Sequence, residues 1–355
     1  MDFNHKIKRC SETFTKFGSL NVKVLGDSDE KKHYRNKTCY DFKRRLENNS
    51  FDLLGIEHLI IIQITKNYYK MLGIEVENRM KEVFIKNNSL NEFQLCFMIY
   101  DLEIVETLPN LILKINQYFS VFYKQLYIPI IVSGYYQVYD KKLGLKFRDN
   151  INFYGSKVIR EVTKVGSNYI EIYLTPHSFS RVNYTNSILI YNQIVKYIDI
   201  LPIMNYLCFG RDIYYPIKIL SNKFNSKIYG ITHCPITFQD MCNDIRLVER
   251  NIALKITEKN KYIEGIDNLL CNVENICLIV TSGRNGLKQK LSEFLVKDNR
   301  IKKIIYISCN IKTLEKDFEY LVNNGNYFIT NCCISNEFSG TEYNNSMVLL
   351  EKNII

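Results

Sequence analysis

Tryptophan is missing from the 355 residues, so any aromatic core or base-stacking surface must be built from 26 tyrosines and 20 phenylalanines. The 11 cysteines are odd in number, dispersed, and include no C-x-x-C pair. That pattern argues against a disulfide framework and against a structural zinc site, and free thiols suit the cell interior. Met1 to Gly18 is polar and charged, without the apolar centre of a signal peptide. The longest mostly apolar run near the front, Leu59 to Ile64, interrupted at Gln63, is far too short to span a bilayer. An intracellular chain, cytoplasmic or nuclear, not secreted and without a membrane partner, is therefore expected. There is no internal repeat and no low-complexity linker.

What is present is length enough for two domains and a basic surplus, 47 Lys and Arg against 37 Asp and Glu, for a net charge of +10. Such a surplus suits a polyanion, whose condensed counterions are released on contact, and is equally compatible with solubility alone. One stretch stands out, Ile304 to Leu314. Ile304, Ile305 and Ile307 read as a buried strand that breaks at Ser308-Cys309-Asn310, which delivers a cysteine at the strand's carboxyl end. Ligands of open α/β sheets bind there, and a thiolate in that place can act as a nucleophile. Taken alone, a cysteine on a core strand is more often simply packed.

Along the chain, residues from about Phe17 to Ile64 read as strands, with alternation over Leu20 to Leu25 and again at Tyr40 to Phe42. Helical spacing follows over Thr65 to Lys86 and Leu108 to Gln125, then strands over Tyr127 to Asp140 and Tyr169 to Leu174. This mixture predicts an α+β domain over residues 1–175. A helix near Ser187 to Ile198 and strands at Lys227 to Ile231 and Ile276 to Val280 predict a second domain over 176–355.

The segment Ser308-Cys309-Asn310, with Thr313-Leu314 and Asp317, resembles the catalytic segment of the S-adenosylmethionine-dependent RNA uracil carbon-5 methyltransferases, Ser-Cys-Asn-Pro-x-Thr-Leu, with Ile311 in place of the proline. The resemblance runs from His33 to Leu350. It implies a C-terminal Rossmann-like domain with a mostly parallel doubly wound sheet, preceded by an RNA-binding domain. It also implies Cys309 as the nucleophile that attacks carbon 6 of uracil. His33-Tyr34-Arg35-Asn36-Lys37 resembles the RNA-binding segment of the tRNA-type enzymes, which assigns Tyr34, Arg35 and Lys37 to RNA, with Lys43, Arg44 and Arg45 just beyond. Read without the family, the same run is a solvated charged turn. Some rRNA-type relatives carry a cysteine-ligated iron–sulfur cluster; no such grouping occurs here, and no metal is expected.

Several family positions are altered. The glutamine that contacts the cofactor is Arg181. The glycine-rich turn after the first strand keeps Gly210, followed by Arg211. The acid that holds the ribose is Thr232, a weaker, uncharged substitute. The aspartate of Asp-Pro-Pro-Arg-x-Gly-Leu is Thr281, while Arg284, Gly286 and Leu287 match. The glutamate base is Asn345, whose amide accepts no proton at neutral pH, and Glu342 lies an odd number of residues away, on the other face of a strand. Two readings follow. One is an RNA uracil carbon-5 methyltransferase, with tRNA as the implied target and no obligate protein partner. The other is a catalytically silent relative kept for RNA binding or RNA folding.

Overall fold

The computed structural model describes residues 3–18, 21–26, 35–43, 55–122, 130–140, 150–202, 204–224, 227–248, 250–258, 261–339 and 341–353. The chain forms two units, Glu30–Val162 with Tyr173–Ser178, and Met1–Asp29 with Thr163–Ile172 and Phe179–Ile355. The chain crosses between them after residues 29, 162, 172 and 178, whereas the sequence reading sets one boundary, after residue 175. The first 29 residues differ, since α1 (Phe3–Lys16) and β1 (Val22–Leu25) belong to the larger unit and not to the α+β unit. The cause is packing. Phe14 is fully buried with its ring 5.9 Å from Phe318, and β1 pairs in parallel with a strand near the far end of the sequence, Val22 opposite Cys332. Burying a phenylalanine of this kind is worth roughly 1.5–3 kcal/mol.

In the smaller unit β2 (Lys37–Asp41) is followed by α2 (Ile56–Met71), β3 (Met80–Asn87), β4 (Glu92–Ile99), α3 (Leu108–Phe122), β5 (Ile130–Val138) and β6 (Ile151–Gly155). The sheet order is β2-β3-β4-β5-β6, antiparallel except for β4 and β5, which α3 joins as a parallel crossover. Ile61, Tyr69, Leu95, Phe97, Ile112 and Phe119 centre its core. The stretch Leu59 to Ile64 is helical here, not extended, because Ile61, Thr65, Tyr68 and Tyr69 fall on one buried face at helical spacing. The stretch read as helix to Lys86 instead ends at Met71 and resumes as β3, whose apolar Val83 and Ile85 alternate into the core.

β7 (Ile159–Val165) and β8 (Asn168–Leu174) pair as a two-stranded ribbon. The larger unit then continues through α4 (Tyr184–Asp199), β9 (Asn205–Gly210), α5 (Tyr214–Lys223), β10 (Ile228–Thr232), α6 (Pro235–Asn243), β11 (Ile252–Ile256), α7 (Tyr262–Leu269), β12 (Ile276–Gly283), α8 (Gln289–Lys297), β13 (Ile301–Ser308), α9 (Ile311–Gly325), β14 (Tyr327–Ser335) and β15 (Asn345–Lys352). Among the described residues its sheet has eight strands in the order β1-β14-β15-β13-β12-β9-β10-β11, all parallel except β15. Ile276 to Val280 are all buried, as strands covered on both faces require. This is the expected Rossmann-like, doubly wound sheet. The chain moves outward from β9 through β10 and β11, then returns to place β12 on β9's other side, so the strand order reverses between β9 and β12.

Candidate active site

The carboxyl ends of β9, β12 and β13 make one rim. Register fixes who shares it: Thr281 lies opposite both Gly210 and Ile307, and Ser308 lies opposite Ser346 at the start of antiparallel β15. Cys309 follows at once, half-buried and so neither sealed in the core nor fully solvated. Its carbonyl accepts from the N–H of Asn344, 3.4 Å away, which ties it to the approach of β15. Asn310 caps α9, its side chain accepting from the N–H of Lys312 at 3.1 Å. Cys309, Thr281, Gly210 and Asn345 are therefore gathered on one edge.

Burial pushes the Cys309 thiol above its ordinary value; Arg284 pulls it down, Glu337 pushes it further up, and Arg181 pulls it down. The resting group is a thiol, and thiolate character depends on the two arginines. Arg284 is exposed, with its guanidinium 4.3 Å from the centre of the Tyr343 ring. Its carbonyl accepts from Asn310 and Thr313, at 3.2 and 3.3 Å, so the loop after β12 is fastened to the start of α9. Asp317 completes that fastening. It accepts from the N–H of Leu287 at 2.9 Å and from the Tyr306 hydroxyl, and a Cβ on Gly286 would lie 2.6 Å from it.

Arg181 is buried in an ion cluster. Its guanidinium lies 2.8 Å from Asp212 and 2.8 Å from Glu337, and all three side chains are nearly inaccessible. The cation holds firmly to its proton because both carboxylates face it, while burial pushes both carboxyls above the usual range against the pull of Arg181. Two carboxylates against one guanidinium leave a formal surplus of one negative charge. Asp212 and Glu337 were not singled out in the sequence as site residues; the only signal was their position inside the motif segments after β9 and β14. Lys6 is a third such residue. From α1 its buried ammonium reaches Asn336, Phe338 and Tyr343 at 2.7–3.0 Å, and burial lowers its pKa to about 8.

The remaining predicted positions are placed as follows. Gly210 has φ +128°, and a Cβ there would meet the Thr281 carbonyl and hydroxyl oxygens at 2.5 Å, so the glycine permits the close approach of β9 and β12. Thr281 also accepts, at 3.3 Å, from the N–H of Asp212. Thr232 is fully buried at the end of β10, its hydroxyl oxygen accepting from the N–H of Cys234 at 3.1 Å. Asn345 is buried, and its Nδ2 has no hydrogen-bond partner among the described residues. Glu342 is exposed, 3.8 Å from Lys312. In the smaller unit Lys37 opens β2 opposite Lys86, with its ammonium 5.4 Å from the Phe84 ring; Arg35 is half-buried beside it. Tyr34, Arg44 and Arg45 lie outside the described residues.

The rim fits S-adenosylmethionine in frame. It is the switch point of a doubly wound sheet. The ribose side is weaker, since the hydroxyl of Thr232 is already engaged. Among the described residues no group of three or more His, Cys, Asp or Glu gathers as a metal-binding set, and no helix is long and apolar enough to cross a membrane.

Residues 234–353 match the family model described as tRNA (Uracil-5-)-methyltransferase. An uncharacterized RNA methyltransferase of Fusobacterium nucleatum is 23% identical over 281 residues, covering 78% of this chain and 56% of that protein. One of Lactobacillus johnsonii is 28% identical over 158 residues, covering 42% of this chain and 32% of that protein. The chain thus spans about half the length, or less, of the curated relatives it matches. Among solved structures, the tRNA (uracil-54, C5)-methyltransferase of Pyrococcus abyssi in complex with S-adenosyl-L-homocysteine superposes with a TM-score of 0.70 at 15% identity, covering 99% of this chain and 84% of that one. That likeness speaks for the fold; with the matched model and relatives, it makes the C-terminal part of this chain similar to the tRNA (uracil-5-)-methyltransferases.

Proposed function

We propose that the protein methylates carbon 5 of a uracil in RNA, with tRNA as the target class and S-adenosylmethionine as the methyl donor. The observation that carries this reading is the half-buried Cys309 at the carboxyl end of β13, on the switch-point rim and within the electrostatic reach of Arg284. In this reading Cys309, once deprotonated, adds through Sγ to carbon 6, and the electron pair of the 5,6 double bond moves to carbon 5. When bound, the cofactor supplies an electrophilic methyl group for that carbon. Loss of the carbon-5 proton to a base then expels the thiolate and restores the double bond. Asn345 cannot serve as that base, and Glu342 points to Lys312. Release is therefore the slow step. Purified protein incubated with tRNA transcript and S-adenosylmethionine should accumulate a denaturant-stable RNA adduct that Cys309→Ala abolishes. Rapid multiple turnover to 5-methyluridine, read by nucleoside mass spectrometry, would overturn this account of the base.

The ion cluster favours a second reading, a silent family member that binds or folds RNA. Arg181 stands where relatives present a glutamine to the cofactor, and its guanidinium is committed to Asp212 and Glu337. Calorimetry with S-adenosylmethionine separates the two: micromolar binding supports the enzyme, and no heat up to millimolar ligand supports the silent protein.

A further inference from the structure

At the opposite end of the sheet from the Cys309 rim, the larger unit holds a cavity of about 670 Å³, within the range of small-molecule sites. Ile228 and Ile252, the first residues of β10 and β11, form part of its wall. Thr232, at the carboxyl end of β10, is four residues away, about 13 Å along a strand. The cavity is therefore separate from the candidate active site.

Among the described residues its lining is basic, with Lys218, Arg246 and Arg250 against one carboxylate, that of Glu171. Lys218 is buried and fixed by Asp244 at 2.5 Å, which makes it part of the floor. Arg250 gives one N–H to the Ser221 carbonyl, and a guanidinium has five, so donors remain for a ligand. Arg246 is held by Glu171 at 2.7 Å, but its side chain is 65% exposed, and such a pair exchanges readily for a stronger anion. Two guanidinium forks at one opening suit the geometry of a phosphate. Tyr169 stands at the same opening, 66% exposed, a ring of that size left uncovered on a unit whose other tyrosines are mostly packed. Asn222 and Asn251 add amide groups able to donate and accept at a base edge.

We propose that this cavity is a nucleotide site, in which Arg246 and Arg250 hold the phosphate and the base stacks on Tyr169. The nucleotide is either free or one residue of an RNA strand; the chemistry is the same. The site requires no methyl transfer and stands apart from the reactivity of Cys309.

The test uses the full chain with two probes, 5′-uridine monophosphate followed by ligand-observed NMR and a fluorescein-labelled oligouridylate of about ten nucleotides followed by anisotropy. Tyr169→Ala and Arg246→Ala change exposed side chains, and each should weaken binding about tenfold, as loss of one stacked base or one phosphate contact does. Glu171→Gln should tighten it by releasing Arg246, and uridine without phosphate should fail to compete. Variant-sensitive binding of the mononucleotide alone identifies a free nucleotide as the ligand; variant-sensitive binding of the oligomer alone identifies an RNA strand. Absence of binding by either probe, or binding that both variants leave unchanged, overturns the proposal.

Discussion

Arg181→Gln installs the glutamine that the family resemblance implies at this position, and the structure predicts that the change is costly. The guanidinium has two carboxylates at 2.8 Å, and the three side chains are 7%, 6% and 1% exposed. Removing one partner from a buried ion pair costs about 3–5 kcal/mol, because the charge left behind is neither hydrated nor paired. Here Asp212 and Glu337 are left facing each other, so the upper part of that range is expected at pH 7.5, a large fraction of a typical domain's stability. The cost should depend on pH. Without the cation both carboxyls titrate further above their unfolded values, the native state takes up protons that the unfolded state does not, and the variant regains stability as the pH falls toward 5. Adding Glu337→Gln to Arg181→Gln should return about 2 kcal/mol, since one stranded charge is gone. Urea denaturation followed by circular dichroism, at several pH values, measures all of this. A loss below about 1 kcal/mol at pH 7.5, or one that is the same at pH 5, would refute the reading of Arg181 as a buried counter-ion.

Gly210→Ala should destabilise the larger unit by about 1–3 kcal/mol, because the left-handed φ strains any other residue and the new Cβ meets the backbone carbonyl of Thr281, which cannot swing aside. Differential scanning calorimetry checks this, and Thr281→Ala in the same chain should relieve only the hydroxyl part of the clash. In the smaller unit burial raises the Glu161 carboxyl to about 7, against the hydrogen bonds from Ser89 and the attraction of Lys86. The folded chain keeps this proton while the unfolded chain loses it near pH 4.5, so stability falls as the pH rises from about 4.5 through 7, by about 3 kcal/mol in total. Glu161→Gln should remove that slope from the hydrogen-exchange protection of β3 and β4, and an unchanged slope would count against a buried neutral carboxyl.

Much of the larger unit was legible because parallel strands are buried on both faces and read as apolar runs, as Ile276 to Val280 of β12 and Ile304 to Ile307 of β13 do. The placement of Cys309 on the rim followed from the break after Ile307. What sequence periodicity could not give was pairing over long separations. Leu20 to Leu25 alternates like a strand, but nothing in it announces that its partner is β14. Helix and strand were also confused at Leu59 to Ile64, since a hexamer that is apolar at every position but Gln63 satisfies both periods, and the buried Thr65, Tyr68 and Tyr69 beyond it decide for a helix. Charge partners were illegible for a related reason. Arg181, Asp212 and Glu337 come from three loops, and no spacing rule links residues that meet only after the sheet has formed.

The placement of α1 and β1 in the larger unit makes the smaller one a guest, threaded into its host between two separated parts of the same structure. A guest of this kind can mature while its host is still half-made, for its own strands all lie within the interrupting segment. The host must wait, because its outermost strand has no neighbour until the polypeptide has travelled almost its whole course. Ribosome-bound intermediates should consequently acquire protease resistance from the middle of the sequence outward, with the two flanks sealed last.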